Sequence, residues 1–374
     1  MYVKGVGMTK FSIEERNNFQ MSYEATYEAL EDADMSIDKI EAIVVSSVDT
    51  ICNDEKQRHY SSLLSSLFKK KIPIIRVPAV CGGGGTAFWT ALQLKFDNIL
   101  VLGSDNISSS KTELITNEIL GAAEKVYSQK EGLIFPAENA LLAQQHMLKF
   151  GTTTDDLALI AHKNHENAFL NPKAHFYKKR VTLEQIKASP VVASPFRLYD
   201  CSISVNGAAA AIITKDKTDV EVVGSGLATD YIMTFERPSL TELKATRLAS
   251  EIAYKQAGIT AKDINLAEVH DAFTILELMA YEDLGFCKKG EGANLIRNGI
   301  TKIDGKLPIN TSGGLKARGH PISPTGIAQI YEIVKQLRGE CKDRQIPNPK
   351  YGLTENKGGV GATINVHVFK KTGG

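Results

Sequence analysis

A chain of 374 residues, 43% hydrophobic and 23% charged, has the composition of a soluble globular protein with material for two or three domain-sized units. Its 44 basic and 43 acidic residues nearly cancel, which argues against nucleic acid or an anionic membrane as the main partner, and no run has the apolar length of a membrane span. Five scattered cysteines (Cys52, Cys81, Cys201, Cys287 and Cys341) include no CxxC pair, so neither a zinc site nor a disulfide framework is indicated, and a reducing, cytoplasmic setting is expected.

Residues 2–7 read as a Gly-bearing strand and lack the apolar core of a secretory signal. A helix over 23–33 and a strand over 42–46 follow. The apolar run 72–79 then leads into Val80-Cys81-Gly82-Gly83-Gly84-Gly85, with a helix over 86–96 whose Phe88, Ala91, Leu92 and Phe96 share one face. A cysteine at a helix entrance meets the positive end of the macrodipole and unpaired N–H groups, both favouring the nucleophilic thiolate. The glycines are poor helix formers, so four together predict close backbone approach. A buried structural cysteine is the other reading of that stretch.

A strand at 99–103 precedes a polar region, 104–197, with its own helices (138–150, 154–169) and three prolines (Pro136, Pro172, Pro190). It reads as an insertion over the sheet face without an independent core. Strands at 208–214 and 220–226 and a helix at 240–257 follow. A strand at 267–270 ends on His270-Asp271-Ala272-Phe273, which puts an imidazole where open α/β sheets bind ligands. Capping of the next helix is the alternative role for that histidine. The loop from Asn310 to Pro321, NTSGGLKARGHP, is crowded with small residues and fixes His320 before a proline. A helix at 325–338 and the turn Lys357-Gly358-Gly359-Val360-Gly361 lead to the final strand, 362–369. Main-chain N–H groups in such a turn can hold an oxyanion.

The chain also repeats itself. EATYEALEDADMSIDKIEAIVV at 24–45 and LASEIAYKQAGITAKDINLAEV at 248–269 align without gaps, pairing Ala25 with Ala249, Ala29 with Ala253, Ala33 with Ala257 and Ile40 with Ile264. Each copy follows a Gly-bearing strand. This predicts a duplicated α/β protein, with halves at 1–219 (including the insertion at about 104–197) and 220–374.

The cysteine loop, the HDAF segment, GGLKARGHP and the C-terminal Gly-rich turn, in that order, resemble the thiolase superfamily along nearly the whole chain. The likeness is to the archaeal acetyl-CoA acetyltransferase and sterol-carrier-protein-2 thiolase branch. The resemblance implies two halves in five αβαβα layers with an inserted loop domain. It implies that Cys81 takes the acyl group and that His320 accepts its proton. His270, with His320, would donate to the thioester oxygen of a second acyl-CoA. Gly361 and the Cys81 N–H would bind the acyl-enzyme carbonyl, with Asn310, Gly313 and Gly314 also assigned to oxyanion or substrate binding. Asp271 and Phe273 would be structural and Cys201 a core residue.

The implied activity is reversible Claisen condensation of two acetyl-CoA to acetoacetyl-CoA, by a homodimer or homotetramer, with no cofactor beyond the coenzyme A thioesters. By the same likeness it would feed a hydroxymethylglutaryl-CoA synthase in the mevalonate pathway through a zinc-bearing OB-fold bridging protein.

Four positions depart from the family pattern. No thiol stands in the turn at 355–359, Ala272 fills the HDCF cysteine position, Ser323-Pro324 replaces Gly-Ala, and Asn206 replaces an aspartate. Without a second thiol, either His270 or His320, whose intrinsic pKa is near neutral, is expected to serve in its place. Otherwise the chain is an acyl-CoA-binding or scaffold protein without turnover; another condensing enzyme of the same fold, such as a ketoacyl synthase, is a third reading.

Overall fold

The computed structural model describes residues 1–14, 16–48, 57–108 and 111–373; Cys52 lies outside them. In chain order the strands are β1 (Tyr2–Met8), β2 (Ala42–Ser46), β3 (Ile74–Arg76), β4 (Asn98–Asp105), β5 (Val191–Ala193), β6 (Phe196–Arg197), β7 (Gly207–Thr214), β8 (Val220–Thr229), β9 (Leu266–Glu268), β10 (Tyr351–Gly358) and β11 (Thr363–Lys371). Among the described residues, β5 and β6 form a small hairpin and the other nine one sheet in the order β3-β2-β4-β7-β1-β8-β11-β10-β9. Among the described residues, the first-half and second-half strands pair where Tyr2 faces Glu221 and Val3 faces Val220.

The layering follows from which face each apolar residue takes. In β2, Ala42 and Val44 join a core shared by strands of both halves, while Ile43 and Val45 join an outer one. A strand buried on both faces needs such an unbroken apolar run. The inner core holds the helices Gly83–Gln93 and Thr325–Arg338, through Phe88, Ala91, Ile327, Ile330 and Val334. The helix Asn18–Asp32 covers the outer face of the first half through Ala25 and Ala29, and Lys244–Ala257 covers that of the second through Ala249 and Ala253. The result is helix, first part of the sheet (β3 to β1), helix pair, second part of the sheet (β8 to β9), helix. Each fully buried Ile, Val or Leu contributes about 1.5–3 kcal/mol to holding it together.

The repeat is visible atom by atom. A Cβ on Gly5 or Gly7 would stand 2.2 Å from Ala29 O or 2.3 Å from Ala25 O. In the second half, Gly224 and Gly226 stand in the same relation to Ala253 O (2.1 Å) and Ala249 O (2.0 Å). The alanine pairs matched in the sequence are therefore the ones against which strand glycines press.

Some boundaries move for local reasons. The first helix starts at Asn18 because Asn17 and Gln20 form a reciprocal capping box ahead of the apolar pattern. The helix after Cys81 starts at Gly83, so three of the four glycines lie inside it and packing offsets their poor propensity. Apolar side chains of the 104–197 region, including Ala140, Leu157, Ile160 and Phe196, share one cluster with Phe273, Ile275, Leu278 and Val360. That region therefore packs against the HDAF segment and the turn before β11.

Candidate active site

Cys81 sits in a single tight turn between β3 and the helix Gly83–Gln93. Val80 beside it is held at φ 49°, a genuine outlier for a β-branched residue, which survives only where the surroundings over-determine it. They do so through the glycines. A Cβ on Gly82 would lie 2.9 Å from Gly358 N, on Gly83 2.1 Å from Ser46 Oγ, on Gly84 2.5 Å from Ser323 O and on Gly85 2.9 Å from Asn356 Oδ1. The helix entrance is thus wedged among β2, the His320 loop and the end of β10, which explains the glycine run.

The Gly359 N–H lies near the Cys81 sulfur and favours its charged form. Burial nevertheless dominates and pushes the thiol up to about 12, with the Asp105 carboxylate adding to the rise. Against the sequence expectation of a favoured thiolate, desolvation outweighs the helix end and the N–H groups, and the sulfur is held as a thiol. The Gly361 N–H, at φ 79°, has no hydrogen-bond partner among the described residues.

One side chain ties the nucleophile to the first histidine. Asn356 Oδ1 accepts from Gly85 N (3.0 Å), while its Nδ2 donates to Cys81 O (3.0 Å) and to His270 Nδ1 (3.2 Å). The Lys357 N–H also donates to His270 Nδ1, at 3.3 Å. A main-chain N–H cannot accept, so Nδ1 carries the lone pair and the ring proton sits on Nε2. Burial, then His320, Lys357 and Arg318, hold this imidazole neutral, far below the usual histidine range.

His320 meets that ring edge to face, with centroids 5.3 Å apart at 86°. Its main-chain N–H donates to Ile203 O (2.9 Å) and its Nδ1 pairs with Thr325 Oγ1 at 2.7 Å. Burial, with the Arg318 cation, lowers its pKa to about 3. Neither ring's Nε2 has a hydrogen-bond partner among the described residues. A thiol loop, a neutral ring fixed as a donor and a second neutral ring are thus linked through the Asn356 amide and the ring-to-ring contact, the set of groups that acyl transfer to sulfur requires.

The remaining predicted residues support the loops. Asp271 accepts from Leu315 N (2.7 Å), Lys316 N (3.3 Å) and Asn164 Nδ2 (2.8 Å), locking the HDAF segment to GGLKAR. Phe273 stacks on Phe196 at 5.5 Å. Asn310, fully buried at φ 57°, accepts from Val269 N (2.8 Å) and donates to Glu277 (2.8 Å). The Gly313 and Gly314 N–H groups go to Asn310 O (2.9 Å) and Ser312 Oγ (3.2 Å). Asn310 thus ties the loop to the end of β9 and to Glu277, and the Gly313 and Gly314 N–H groups close the loop on itself.

Cys201, with its thiol raised to about 11 by burial, directs its sulfur to Arg197 O and packs with the Phe273 cluster. At the turn lacking a thiol, the Glu355 carboxylate is consumed by Lys357 (2.6 Å), Thr246 (3.0 Å) and the His270 N–H (3.2 Å). Asn206 now has an account. Its Oδ1 accepts from Ile107 N, Ser108 N and Ser108 Oγ, each at 2.8 Å, and its Nδ2 donates to Glu14 O, a bond an aspartate could not make. Asn356 and Lys357 were missed as site residues; in sequence they are only two polar residues before a glycine turn.

A family model described as "Thiolase, N-terminal domain" matches residues 4–194, and one described as "Thiolase C-terminal domain-like" matches 226–371. The acetyl-CoA acetyltransferase of Methanothermobacter thermautotrophicus is 40% identical, covering 99% of each chain. Among solved structures, an Ltp2–ChsH2(DUF35) aldolase matches with TM-score 0.84 at 24% identity, covering 99% of this chain and 97% of that one. Human mitochondrial 3-ketoacyl-CoA thiolase matches with TM-score 0.75 at 17% identity, covering 100% and 98%. At those identities the two structures speak to the fold alone.

Proposed function

The chain belongs to the thiolase family and is an acyltransferase, and on that premise we propose that it catalyses the reversible condensation of two acetyl-CoA through an acetyl-Cys81 intermediate. One observation carries the reading. Two neutral imidazoles, with free Nε2 atoms and centroids 5.3 Å apart, are joined to the Cys81 loop by the Asn356 amide, which donates to both Cys81 O and His270 Nδ1.

In the first half-reaction His320 takes the Cys81 proton and sulfur attacks the thioester carbon. The carbonyl oxygen, now negative, falls to the main-chain N–H groups of Cys81 and Gly361, and coenzyme A leaves carrying the proton. Removing one such donor typically costs about 3 kcal/mol of barrier. In the second, an enolate from another acetyl-CoA attacks the acetyl-Cys81 carbonyl while His270 Nε2–H holds its thioester oxygen. The atoms balance with acyl-CoA alone.

We extend the proposal to its setting: a homodimer or homotetramer that passes acetoacetyl-CoA to a hydroxymethylglutaryl-CoA synthase of the mevalonate pathway, through a zinc-bearing OB-fold bridging protein. The test of the core reading is mass spectrometry of the chain after incubation with acetyl-CoA, together with an acetoacetyl-CoA thiolysis assay. A 42 Da increment on the Cys81 peptide (about the mass of an acetyl group replacing hydrogen) with turnover is expected. Acyl-CoA binding without either would reassign the chain as a binding protein.

A further inference from the structure

The family pattern's second thiol is absent here, so the group that removes the α-proton of the second acetyl-CoA has to be found among the residues present. Among the described residues, the polar side chains bonded to the His270 segment and its neighbouring turn are already committed. Glu355 is paired with Lys357 and Thr246, Asp271 holds the GGLKAR segment, and Asn356 spans Gly85, Cys81 and His270. That leaves the two imidazoles, which are not equivalent.

For His270 to act as a base toward substrate, Nε2 must carry the lone pair, and the ring proton must then move to Nδ1. Nδ1 faces the Lys357 N–H and the Asn356 Nδ2, neither of which can accept it. The orientation of the Asn356 amide is not adjustable, because Gly85 N–H can only donate to its oxygen and Cys81 O can only accept from its nitrogen. His320 has no such constraint. Its Nδ1 faces a threonine hydroxyl, which accepts or donates by rotating, so its Nε2 is free to gain and lose a proton.

We infer that His320 alone carries every proton of the reaction, and that Asn356 and Lys357 are positioning residues confining His270 to the role of donor. This deepens the acetyl-CoA condensation reading and rests on it. In the second half-reaction His320 Nε2 takes a proton from the acetyl methyl group, and the C–H electron pair forms the enolate, whose oxygen His270 Nε2–H holds. The enolate carbon bonds to the acetyl-Cys81 carbonyl carbon, the carbon–sulfur bond breaks, and the proton on His320 returns to the departing Cys81 sulfur. One imidazole therefore cycles twice, and the thiol it first deprotonated is regenerated by the α-proton.

The experiment separates enolisation from nucleophile activation by using Cys81→Ala, incubated with acetyl-CoA in heavy water, with deuterium in the acetyl methyl group read by mass spectrometry. Adding His320→Gln is expected to cut exchange about 100-fold or more, within the usual range for loss of a general base. Adding His270→Gln, whose amide still donates, is expected to cut it no more than about tenfold. Exchange above a tenth in the His320→Gln variant, or a His270→Gln variant as inactive as that one, overturns the proposal.

Absence of exchange in Cys81→Ala, from a wild-type chain that does acetylate Cys81, overturns it too while leaving the function intact. Absence of acetylation in the wild type overturns the function instead. A second readout needs no substrate. Nitrogen-15 spectra of histidine-labelled protein should show His270 as the neutral Nε2–H form from about pH 6 to 9, since its Nδ1 faces only donors. An Nδ1–H form would defeat the proposal.

Discussion

A methyl group on Gly82 would stand 2.9 Å from the Gly358 main-chain nitrogen and 3.3 Å from the Lys357 carbonyl carbon, so the Cys81 loop and the glycine turn after β10 are in direct backbone contact. That contact lets the Gly359 N–H reach the Cys81 sulfur. Gly82→Ala must push the two segments apart, because neither obstacle is the movable end of a side chain. We expect kcat for acetoacetyl-CoA thiolysis to fall on the order of 100-fold, the usual consequence of displacing a catalytic donor. The overpacking itself should cost only about 1–3 kcal/mol of stability, measurable by urea titration. A variant with unchanged kcat would show that the close approach is not needed for chemistry.

The Asn356 amide gives a second prediction, in which charge matters more than size. Asn356→Ala removes the link between Cys81 O and His270 Nδ1 but leaves the Lys357 N–H to hold the ring. Asn356→Asp keeps an acceptor for Gly85 N but sets a carboxylate against Nδ1, which draws the ring proton away from Nε2. The isosteric change should therefore be the more harmful: about 10-fold lower kcat for alanine and about 100-fold for aspartate, with KM little changed, as expected for a group acting in the transition state. Steady-state kinetics of the two variants decide it; alanine worse than aspartate would mean the amide acts by filling space.

Much of this site was legible in the sequence, because its chemistry sits in short segments whose composition has no other use. Cys81 before four glycines, His270 at a strand end and His320 before a proline were each identified from the residues. The supports were not legible. Asn356 reaches Gly85 across 271 positions and Cys81 across 275, and no local pattern announces such a contact. The state of the thiol was misjudged for the same reason: a helix entrance can be read locally, whereas burial depends on segments from both halves. Asn310, Gly313 and Gly314 stood out for their polar and small groups, and the sequence does not tell that Asn310 bonds Val269 and Glu277. β3 and the helix Tyr60–Phe68 were not assigned as elements, since three residues of strand and nine of helix carry too little periodicity.

The duplicated glycines make a prediction about stability. Gly7 and Gly226 each place a would-be Cβ on the carbonyl oxygen of a matched alanine, Ala25 at 2.3 Å and Ala249 at 2.0 Å. Both sites are strand against helix, both obstacles are backbone, and neither lies in the catalytic loops. Gly7→Ala and Gly226→Ala should each destabilise the chain by about 1–3 kcal/mol and by amounts that agree within about 1 kcal/mol, with kcat retained in the folded fraction. Urea midpoints for the pair provide the check. A tolerated alanine in one half only would mean that the two strand–helix contacts have diverged.

His165 offers a test of linkage outside the catalytic set. It is 1% exposed, neither ring nitrogen has a partner among the described residues, and its ring lies edge-on to Phe176 (4.5 Å) and Tyr199 (5.3 Å). Burial, with Lys316 and His162 adding to it, lowers its pKa to about 2. The sign follows from the depressed folded value: below the unfolded value of about 6.5 the unfolded chain binds a proton that the folded chain refuses, so stability is lost as pH falls.

Buried carboxylates act oppositely. Asp105 and Glu268 are raised to about 7, chiefly by burial, so stability is lost as pH rises toward that value, and the wild-type curve mixes the two trends. The difference between wild type and His165→Phe isolates the histidine. Phenylalanine keeps the aromatic contacts and forfeits no hydrogen bond, so the variant should gain about 2 kcal/mol on wild type between pH 7 and pH 5, near 1.4 kcal/mol per pH unit below 6.5. Urea titrations of both proteins at those two pH values measure it. Curves that stay parallel would mean that this imidazole is protonated in the folded chain, and its apolar cage would then have to admit water.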